Sequence, residues 1–426
     1  MKDFIEDLKW RGIADNIVPG IEDFFKNKKN LLYTGIDPTA PSLHIGNLSV
    51  LFLLKRFQLK KYKSIIVIGG ATSLVGDPSG KLDKRKKLSI NKILYNQSCI
   101  KKQIIKILNV KNDNSLEILN NYDWFKNFNF LDFLNDIGSF ININDMLSKE
   151  FVKNRLDKGI TFMEFSYQLL QGYDFYYLSK NKNVNLQIGG SDQWGNMIIG
   201  SSIIKKKLKK DVFFITTPLI LNQNGKKIGK TENENLWLDQ ELTSSHDFYQ
   251  FLLNYPDKES IKMIKIFSML DKENIIEIIK IHNFNPNKRI VQKFIAKELI
   301  TSIHSKEDYE ISRFTSEVLF KFKEMSTLEK FNDVDIIKIF KFIPKIKIDK
   351  NEYLKIKNVI DLVYNYVGNL IFSSKKEVKR SINENSLIIN KIKINDINQI
   401  SDFILLKDKY LLIQKGKKNF YIIVIV

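Results

Sequence analysis

Apolar residues in the first half of the chain follow two alternating patterns. Short continuous apolar runs, typical of buried parallel strands, occur at residues 31–36, 64–70, 184–188 and 212–221. Apolar residues at the three- and four-residue spacing of helices occur near residues 44–60, 84–108, 161–178 and 193–207. Strands that alternate with helices predict a parallel sheet covered on both faces. We therefore expect a doubly wound α/β domain over residues 1–235.

The second half of the chain follows a different pattern. Residues 236–325 show helical spacing without strands, whereas residues 326–352 include Pro344 and alternate Ile with Lys, as in a tether. Beyond residue 353, short helices near 358–366 and 374–382 accompany short strands at 386–389 and 410–414. The sequence thus predicts an all-α domain at 236–325, a linker at 326–352 and a small α+β module at 353–426.

The charge balance suggests a nucleic-acid partner, but it has a second explanation. The 426 residues include 68 Lys and Arg against 48 Asp and Glu, a net charge of +20. Nearly all of the cations are lysines in a chain rich in Ile and Asn, which an AT-rich coding bias would also produce. Residues 355–426 carry a net +7, against about +3 for an even spread. The C-terminal end is therefore more basic than an even distribution of the net charge along the chain would make it.

Other classes of protein are disfavoured by composition. With the single cysteine Cys99 and four scattered histidines, the chain can form no intrachain disulfide and shows no zinc cluster. No apolar stretch approaches the ~18–20 residues that cross a bilayer. The first twelve residues carry acids and lack the apolar core of a secretory signal. The sequence predicts a cytoplasmic protein without a structural metal or a membrane span.

The turn after the first predicted strand is a candidate anion site. Residues 33–47 read YTGIDPTAPSLHIGN, and they lead from the end of a strand into the start of a helix, where free N–H groups favour anions. Thr39 and His44 can donate to phosphate oxygens, and Gly46 permits close approach of a nucleotide. No GxGxxG follows the strand at 64–70, and Gly80-Lys81 lacks the flanking residues of a P-loop. A histidine at a helix start can equally be an ordinary surface residue.

Two further groups of polar residues accompany this turn. Lys227 and Lys230 lie three residues apart in the Gly-flanked loop KIGKT, which by itself could be a solvated charged turn. Tyr167, Gln171 and Asp174 are spaced i, i+4 and i+7, so they share one face of a helix. That face is too polar for core packing and predicts a pocket.

These segments resemble a known family. HIGN at 44–47 and KIGKT at 227–231 are similar to the HIGH and KMSKS elements of class I aminoacyl-tRNA synthetases. The strings YTGIDPTAPSLHIGN, GGATSLVGDPSGK, FSYQLLQGYDF and LQIGGSDQWGN resemble bacterial tyrosyl-tRNA synthetases nearly residue for residue. The resemblance implies a Rossmann-like catalytic domain with its HIGH-like motif at 38–47, a helical anticodon-binding domain at 236–325 and a ribosomal-protein-like RNA-binding module at 353–426. Asn385 and Lys391 stand where that module commonly has glycines.

The activity implied by this resemblance is that of a tyrosine–tRNA ligase. Such an enzyme activates L-tyrosine with ATP to tyrosyl-adenylate, releases pyrophosphate, and transfers tyrosine to the 3′ end of tRNA(Tyr) as a homodimer. ATP is then a substrate, Mg²⁺ is expected with it, and no cofactor is permanently bound. Asn47 replaces the last His of HIGH, Ile228 replaces another apolar residue, and Gly229 replaces Ser. None of these departures removes a required charge.

The resemblance also assigns the site residues. It places Tyr33 and Asp174 at the substrate phenol hydroxyl, and Asp77, Tyr167 and Gln171 at its α-ammonium group. The adenosine and ribose of ATP would lie along Gly35, Asp37, Asn47, Gly190, Asp192 and Gln193. The phosphates would be surrounded by Thr39, His44, Lys81, Arg85, Lys227, Lys230 and Thr231.

Two rival functions remain open at this point. Tryptophanyl-tRNA synthetases share the fold, but the pair of Asp174 and Tyr33 favours a phenol over an indole. An RNA-binding protein built on an inactive synthetase would have no need of the phosphate-site cations. Because those cations are present in the sequence, we expect an active enzyme.

Overall fold

The computed structural model describes residues 2–78, 88–109, 115–149, 152–153, 156, 159–220, 235–322, 324–399 and 403–426. The chain forms two compact units. The first comprises Met1–Thr243 and Leu252–His304, and the second comprises Ser244–Phe251 and Ser305–Val426. Within these described ranges, no helix combines the length and the apolar character that a membrane span requires.

A six-stranded sheet forms the centre of the first unit. Its strands, in spatial order, are β1 (Asn16–Ile17), β6 (Phe213–Thr217), β5 (Val184–Gly190), β2 (Leu31–Ile36), β3 (Ser64–Ile68) and β4 (Leu116–Asn120). Every neighbouring pair is parallel except β1 with β6. All five residues of β3 are buried, as expected for a strand covered on both faces. The predicted α/β fold is confirmed.

Helices surround this sheet and continue beyond it. They are α1 (Lys2–Arg11), α2 (Glu22–Lys26), α3 (Ile45–Leu59), α4 (Thr72–Val75), α5 (Ile90–Leu108), α6 (Tyr122–Phe125), α7 (Phe130–Asp136), α8 (Ile143–Leu147), α9 (Phe162–Lys182), α10 (Trp194–Leu208), α11 (Ser245–Leu253), α12 (Asp257–Phe267), α13 (Lys272–Phe284) and α14 (Ile290–Ile303). Short 3₁₀ turns occur at Gly138–Phe140, Ser191–Gln193 and Pro286–Lys288. Both α3 and α9 begin with a capping box, which fixes where each helix starts.

The second unit is built on a five-stranded sheet. Its order is β7 (Lys345–Ile348), β11 (Asn419–Ile425), β10 (Tyr410–Lys415), β8 (Leu387–Ile389) and β9 (Ile392–Lys393). Its helices are α15 (Lys306–Phe320), α16 (Ser326–Glu329), α17 (Asp333–Ile339), α18 (Lys350–Tyr353) and α19 (Lys375–Asn383), with a π-helical turn at Asp361–Asn365 and a 3₁₀ turn at Gly368–Leu370. Alternate residues of β10 and β11 enter two separate cores, one with α19 and the other with α15 to α17.

The prediction of a linker at 326–352 is wrong. These residues include α16, α17 and β7, and Leu328, Ile336 and Ile339 are buried in a core of the second unit. The alternation of Ile with Lys is the period-two pattern of an edge strand: Ile346 and Ile348 are buried, Lys345 and Lys347 are exposed, and β7 pairs with β11. The helices predicted as one domain at 236–325 are divided between the two units.

Two turns of the second unit form without the expected glycines. Asn385 and Lys391 have positive φ angles of 51° and 69°, and asparagine tolerates this left-handed region better than most residues. Lys391 donates through Nζ to the carbonyl oxygens of Val318, at 3.2 Å, and Leu319, at the C-terminal end of α15. Burial lowers the pKa of Lys391 to about 8. A cation at a helix C-terminus is favourable, and this contact holds the strained turn against the helix.

Candidate active site

The site lies where the strand order of the first sheet reverses. The chain runs outward from β2 through β3 to β4 on one side, and from β5 to β6 on the other. Ligands of such sheets bind at the carboxyl ends of the strands beside the reversal. Tyr33 of β2 and Gln187 of β5 are paired in register, so their side chains share a face. Both are buried, and neither the Tyr33 hydroxyl nor Gln187 Oε1 has a hydrogen-bond partner among the described residues, so both groups can pair with a polar ligand.

Asp174 lies on α9 beside this pair. Its carboxylate accepts hydrogen bonds from Asn121 Nδ2 at 3.1 Å and Trp124 Nε1 at 2.9 Å. Burial raises the pKa of Asp174 to about 7, against the lowering effect of these two bonds. Burial and the nearby Asp174 charge raise the pKa of Tyr33 well above its ordinary value, so Tyr33 stays a neutral donor. A hydrogen-bond donor and an acceptor thus share one buried space.

Asn121 and Trp124 were missed by the sequence analysis. Asn121 is itself held, because its Oδ1 accepts from the Ala71 N–H at 2.8 Å and its Nδ2 donates to Thr72 Oγ1 at 3.1 Å. Both residues follow the carboxyl end of β4. That position, where ligands of parallel sheets bind, was the feature of the sequence that could have indicated them. Gln187 was missed as well, since a single polar residue in an apolar strand is not distinctive.

A second cluster surrounds Asp37 at the end of β2. Its Oδ2 accepts from the Tyr167 hydroxyl at 2.9 Å, and its Oδ1 accepts from Thr72 Oγ1 at 2.7 Å. Gly69 is required beside it, because a Cβ there would lie 1.9 Å from Asp37 Oδ1. The start of the turn after β2 is therefore fixed by α4 and α9.

A chain of amides extends the polar face of α9. Asn196 Nδ2 donates to Gln171 Oε1 at 2.7 Å and to Gln193 Oε1 at 3.2 Å, and Gln193 Nε2 donates to Asp77 Oδ2 at 3.0 Å. The structure thus brings Gln171, Gln193 and Asp77 together, with Asn196 as a link that the sequence did not single out. Their oxygens provide a partly buried set of acceptors.

The HIGN turn caps α3. His44 Nδ1 accepts from the Gly46 N–H at 3.1 Å, and the His44 N–H donates to Asn47 Oδ1 at 3.0 Å. Since Nδ1 accepts, the neutral ring carries its proton on Nε2 and can donate there. Asn47 uses Oδ1 in this cap, so a contact with a nucleotide would have to come from Nδ2.

The chain that follows the lysine loop returns beside His44. The Ile45 N–H donates to the Leu236 carbonyl oxygen at 3.0 Å, and the Leu238 N–H donates to that of Leu43 at 2.8 Å. His44 and Trp237 form the bridge between these segments. The predicted cations and Thr231 lie outside the described residues: Lys81, Arg85, Lys227, Lys230 and Thr231.

The remaining predicted residues lie around the same edge of the sheet. Gly35 and Thr39 are exposed, and the Thr39 N–H donates to the Asp37 carbonyl oxygen at 2.9 Å. A Cβ at Gly190 would lie 2.6 Å from Asp192 Oδ1, so Asp192 packs against bare backbone. In the part of the chain that the structure describes, no group of three or more His, Cys, Asp or Glu is placed to hold a metal ion.

The chain is similar to known proteins over nearly its whole length. The family model for class I tRNA synthetases of the W and Y type matches residues 26–311, and the model for the SYY-like C-terminal domain of tyrosine–tRNA ligase matches 335–423. Tyrosine–tRNA ligases of Amoebophilus asiaticus and Cytophaga hutchinsonii are 48% and 43% identical over 424 residues, covering 99% of each chain. The C-terminally truncated mitochondrial tyrosyl-tRNA synthetase of Aspergillus nidulans superposes with a TM-score of 0.66 at 30% identity, covering 74% of this chain and 94% of that one. The chain therefore belongs to the tyrosine–tRNA ligase family of class I aminoacyl-tRNA synthetases.

Proposed function

We propose that this chain activates L-tyrosine with ATP to tyrosyl-adenylate, releases pyrophosphate, and transfers the tyrosine to the 3′ end of tRNA(Tyr). The observation that carries the proposal is the buried Tyr33 hydroxyl, without a partner among the described residues, beside the Asp174 carboxylate. A phenol hydroxyl donates to the carboxylate and accepts from Tyr33, so it satisfies both groups. The test is ATP–pyrophosphate exchange that depends on the amino acid supplied.

The same pair accounts for selectivity. A phenyl or indole ring brings no hydroxyl to this position, so Tyr33 and Asp174 would remain buried without a ligand partner. Such unpaired groups cost ~1–3 kcal/mol each, and more for a charged group. The α-ammonium group of the substrate would be held by Asp77, Tyr167 and Gln171, whose oxygens line the polar face of α9 and its neighbours.

Activation itself requires no protein nucleophile. A carboxylate oxygen of tyrosine attacks the α-phosphorus, and the bond from that phosphorus to the bridging oxygen of pyrophosphate breaks in line. No proton has to move, so the protein contributes position and positive charge. His44 Nε2 and Thr39 would donate to the phosphates, together with Lys81, Arg85, Lys227, Lys230 and Thr231.

ATP would lie across the carboxyl ends of β2 and β5. Gly35, Asp37, Gly190, Asp192, Gln193 and Asn47 would contact its adenosine and ribose. Gly190 supports this placement, because without a side chain at this position the Asp192 carboxylate can pack closely against the Gly190 backbone. We propose that Mg²⁺ enters with ATP, because hard phosphate oxygens are its preferred ligands and it offsets the charge of pyrophosphate.

Tyrosine affinity is expected to fall as the pH drops below about 7. The raised pKa of Asp174, about 7, results from burial. Because the substrate hydroxyl donates to the ionised carboxylate, binding at lower pH must first release a proton, and affinity falls by up to ~10-fold per pH unit. Above that pH the affinity levels off. Titration of tyrosine by intrinsic fluorescence between pH 5.5 and 8.5 measures this dependence.

A matched variant tests the cause of the pH dependence. Asn121→Ala removes a hydrogen bond that lowers the Asp174 pKa, so its midpoint should move to higher pH. Affinity that is constant over this range in the unsubstituted chain would contradict the role of Asp174.

The surface proposed to hold tRNA lies on α19. Its buried side carries Val378 and Ile382, whereas Glu377 pairs with Lys415 at 2.7 Å. Four cations of the helix are exposed: Lys375, Lys376, Lys379 and Arg380. Exposed cations on one short helix suit a phosphate backbone. Anticodon binding by the helices of residues 236–325 stays a prediction.

Charge reversal on α19 is expected to impair tRNA charging alone. In the triple variant Lys375→Glu, Lys376→Glu and Lys379→Glu, the KM for tRNA should rise about 10-fold or more, and the plot of log affinity against log salt should flatten. Tyrosine-dependent pyrophosphate exchange should stay unchanged, because the activation site lies in the first unit. The assay measures both half-reactions at two salt concentrations.

The control for this variant carries the same change in net charge elsewhere. Lys9, Lys102 and Lys180 are exposed on helices of the first unit outside residues 236–325, and reversing all three should leave the KM for tRNA near that of the unsubstituted chain. Equal effects of the two triple variants would show that overall charge, rather than α19, sets the affinity.

We further propose a homodimer that forms through the first unit. Among the described residues between 130 and 163, seven large apolar side chains are exposed: Phe130, Leu131, Leu134, Ile143, Leu156, Phe162 and Met163. Such a concentration of exposed apolar surface marks an interaction site. The cytoplasmic location expected for an enzyme of translation stays a prediction.

A charge at Leu131 is expected to break this dimer. Leu131 is 71% exposed, so Leu131→Asp should not disturb the fold, but an interface would have to bury the new carboxylate. Sedimentation should then show a mass near 49.9 kDa instead of twice that value. Leu59→Asp, at a position 66% exposed, is the control and should stay dimeric. A dimeric Leu131 variant would exclude this face.

A further inference from the structure

One face of α5 holds both ends of the turn that connects β2 to α3. Asn96 is fully buried, and its Nδ2 donates to the Pro38 carbonyl oxygen at 3.0 Å. Gln103 Oε1 accepts from the Leu43 N–H at 2.9 Å, and its Nε2 donates to Ser42 Oγ at 3.2 Å. Residues seven apart share a helix face, so one element fixes the turn at its start and at its end.

The geometry at Ser42 fixes the orientation of the Gln103 amide. Ser42 Oγ donates to the Leu43 carbonyl oxygen at 2.7 Å and accepts from the Asp239 N–H at 3.0 Å as well as from Gln103. A hydroxyl has one donor and two lone pairs, so this group is fully satisfied. Gln103 therefore accepts at Leu43 through Oε1 and donates at Ser42 through Nε2.

The turn carries Thr39 and ends at His44, the two described residues that the proposed function places at the ATP phosphates. We propose that Asn96 and Gln103 are positioning residues for the phosphate side of the ATP site, and that they act by holding residues 38–43 in place. This inference rests on the proposed function. A misplacement of about 1 Å in a group that contacts the reacting atoms can cost ~100-fold in rate. Neither residue belongs to the set assigned to tyrosine.

The test uses substitutions that keep volume and remove hydrogen bonds. In Gln103→Met and Asn96→Leu, kcat/KM for ATP in tyrosine-dependent exchange should fall about 10- to 100-fold. The dissociation constant for tyrosine without ATP should change less than about twofold. Gln103→Glu keeps the acceptor for the Leu43 N–H and should recover part of the loss. Because both residues act on one turn, the double variant should lose less than the product of the single effects.

A core substitution on the same helix separates positioning from stability. Ile104 is fully buried on α5, and Ile104→Val should lower Tm while leaving kcat/KM for ATP unchanged. If Gln103→Met lowers Tm but its kcat/KM for ATP is as high as that of Ile104→Val, the positioning role is overturned. Failure of the proposed function would differ, because the unsubstituted chain itself would then show no tyrosine-dependent exchange.

Discussion

Replacing Asp174 by asparagine is expected to lower kcat/KM for tyrosine in pyrophosphate exchange by about 10²- to 10³-fold. The carboxylate accepts from Asn121 and Trp124 and, in the proposed complex, from the substrate hydroxyl. Asparagine keeps one acceptor oxygen, but it places an NH₂ group where the second carboxylate oxygen accepted, so that this NH₂ group faces another hydrogen-bond donor. Losing a hydrogen bond to a charged group and creating a donor–donor contact together cost ~3–4 kcal/mol.

The activity with phenylalanine distinguishes this effect from general damage. In the unsubstituted chain, tyrosine should be preferred by about 10⁴-fold or more, a magnitude for which tyrosyl-tRNA synthetases are themselves the reference case. Asp174→Asn should lower the rate with tyrosine and leave the weak rate with phenylalanine nearly unchanged. Asp211→Asn, on an exposed carboxylate, is the matched control. A parallel loss with both amino acids would contradict the assignment of Asp174 to the phenol hydroxyl.

Lys230→Ala is expected to slow the formation of tyrosyl-adenylate by about 10²-fold or more. The loss of one donor to the charge that develops in the transition state costs ~3 kcal/mol. Lys230 lies outside the described residues, but the chain that follows its loop is hydrogen-bonded beside the HIGN turn through Leu236 and Leu238. This anchoring supports placing the lysine on the phosphate side of the site. Rapid-quench measurement of a single turnover gives the rate directly.

Lys226 provides the control for Lys230, because it belongs to the same loop and carries the same charge. Lys226→Ala should form the adenylate at a rate near that of the unsubstituted chain. Tyrosine affinity should be unchanged in both variants. If Lys230→Ala activated tyrosine normally and lost only tRNA binding, its role at the phosphates would be refuted.

Local patterns in the sequence predicted most of the first sheet and the helices that carry the site. The continuous apolar run at 31–36 coincides with β2, and the runs at 64–70 and 184–188 agree with β3 and β5 to within two residues. The helices predicted at 44–60 and 161–178 from their apolar spacing agree with the starts of α3 and α9 to within one residue, and α9 continues four residues further than predicted. Spacing alone also placed Tyr167, Gln171 and Asp174 on one face of α9.

Contacts between distant segments could not be predicted in this way. Asn121 and Trp124 lie 53 and 50 residues before Asp174 in the chain, and the packing of α6 against α9 brings them together. Likewise, Gln103 meets Ser42 across 61 residues. The error at 326–352 has a related cause, since an edge strand with one buried face looks like a charged tether until its partner strand is known.

ATP–pyrophosphate exchange measured with each of the twenty amino acids tests the central claim most directly. The buried pair of Tyr33 and Asp174 predicts rapid exchange with L-tyrosine, very weak exchange with phenylalanine, and none above background with tryptophan. Comparable efficiency with phenylalanine or tryptophan would contradict the phenol pocket. Absence of exchange with every amino acid would contradict activation itself and favour an RNA-binding protein built on an inactive synthetase.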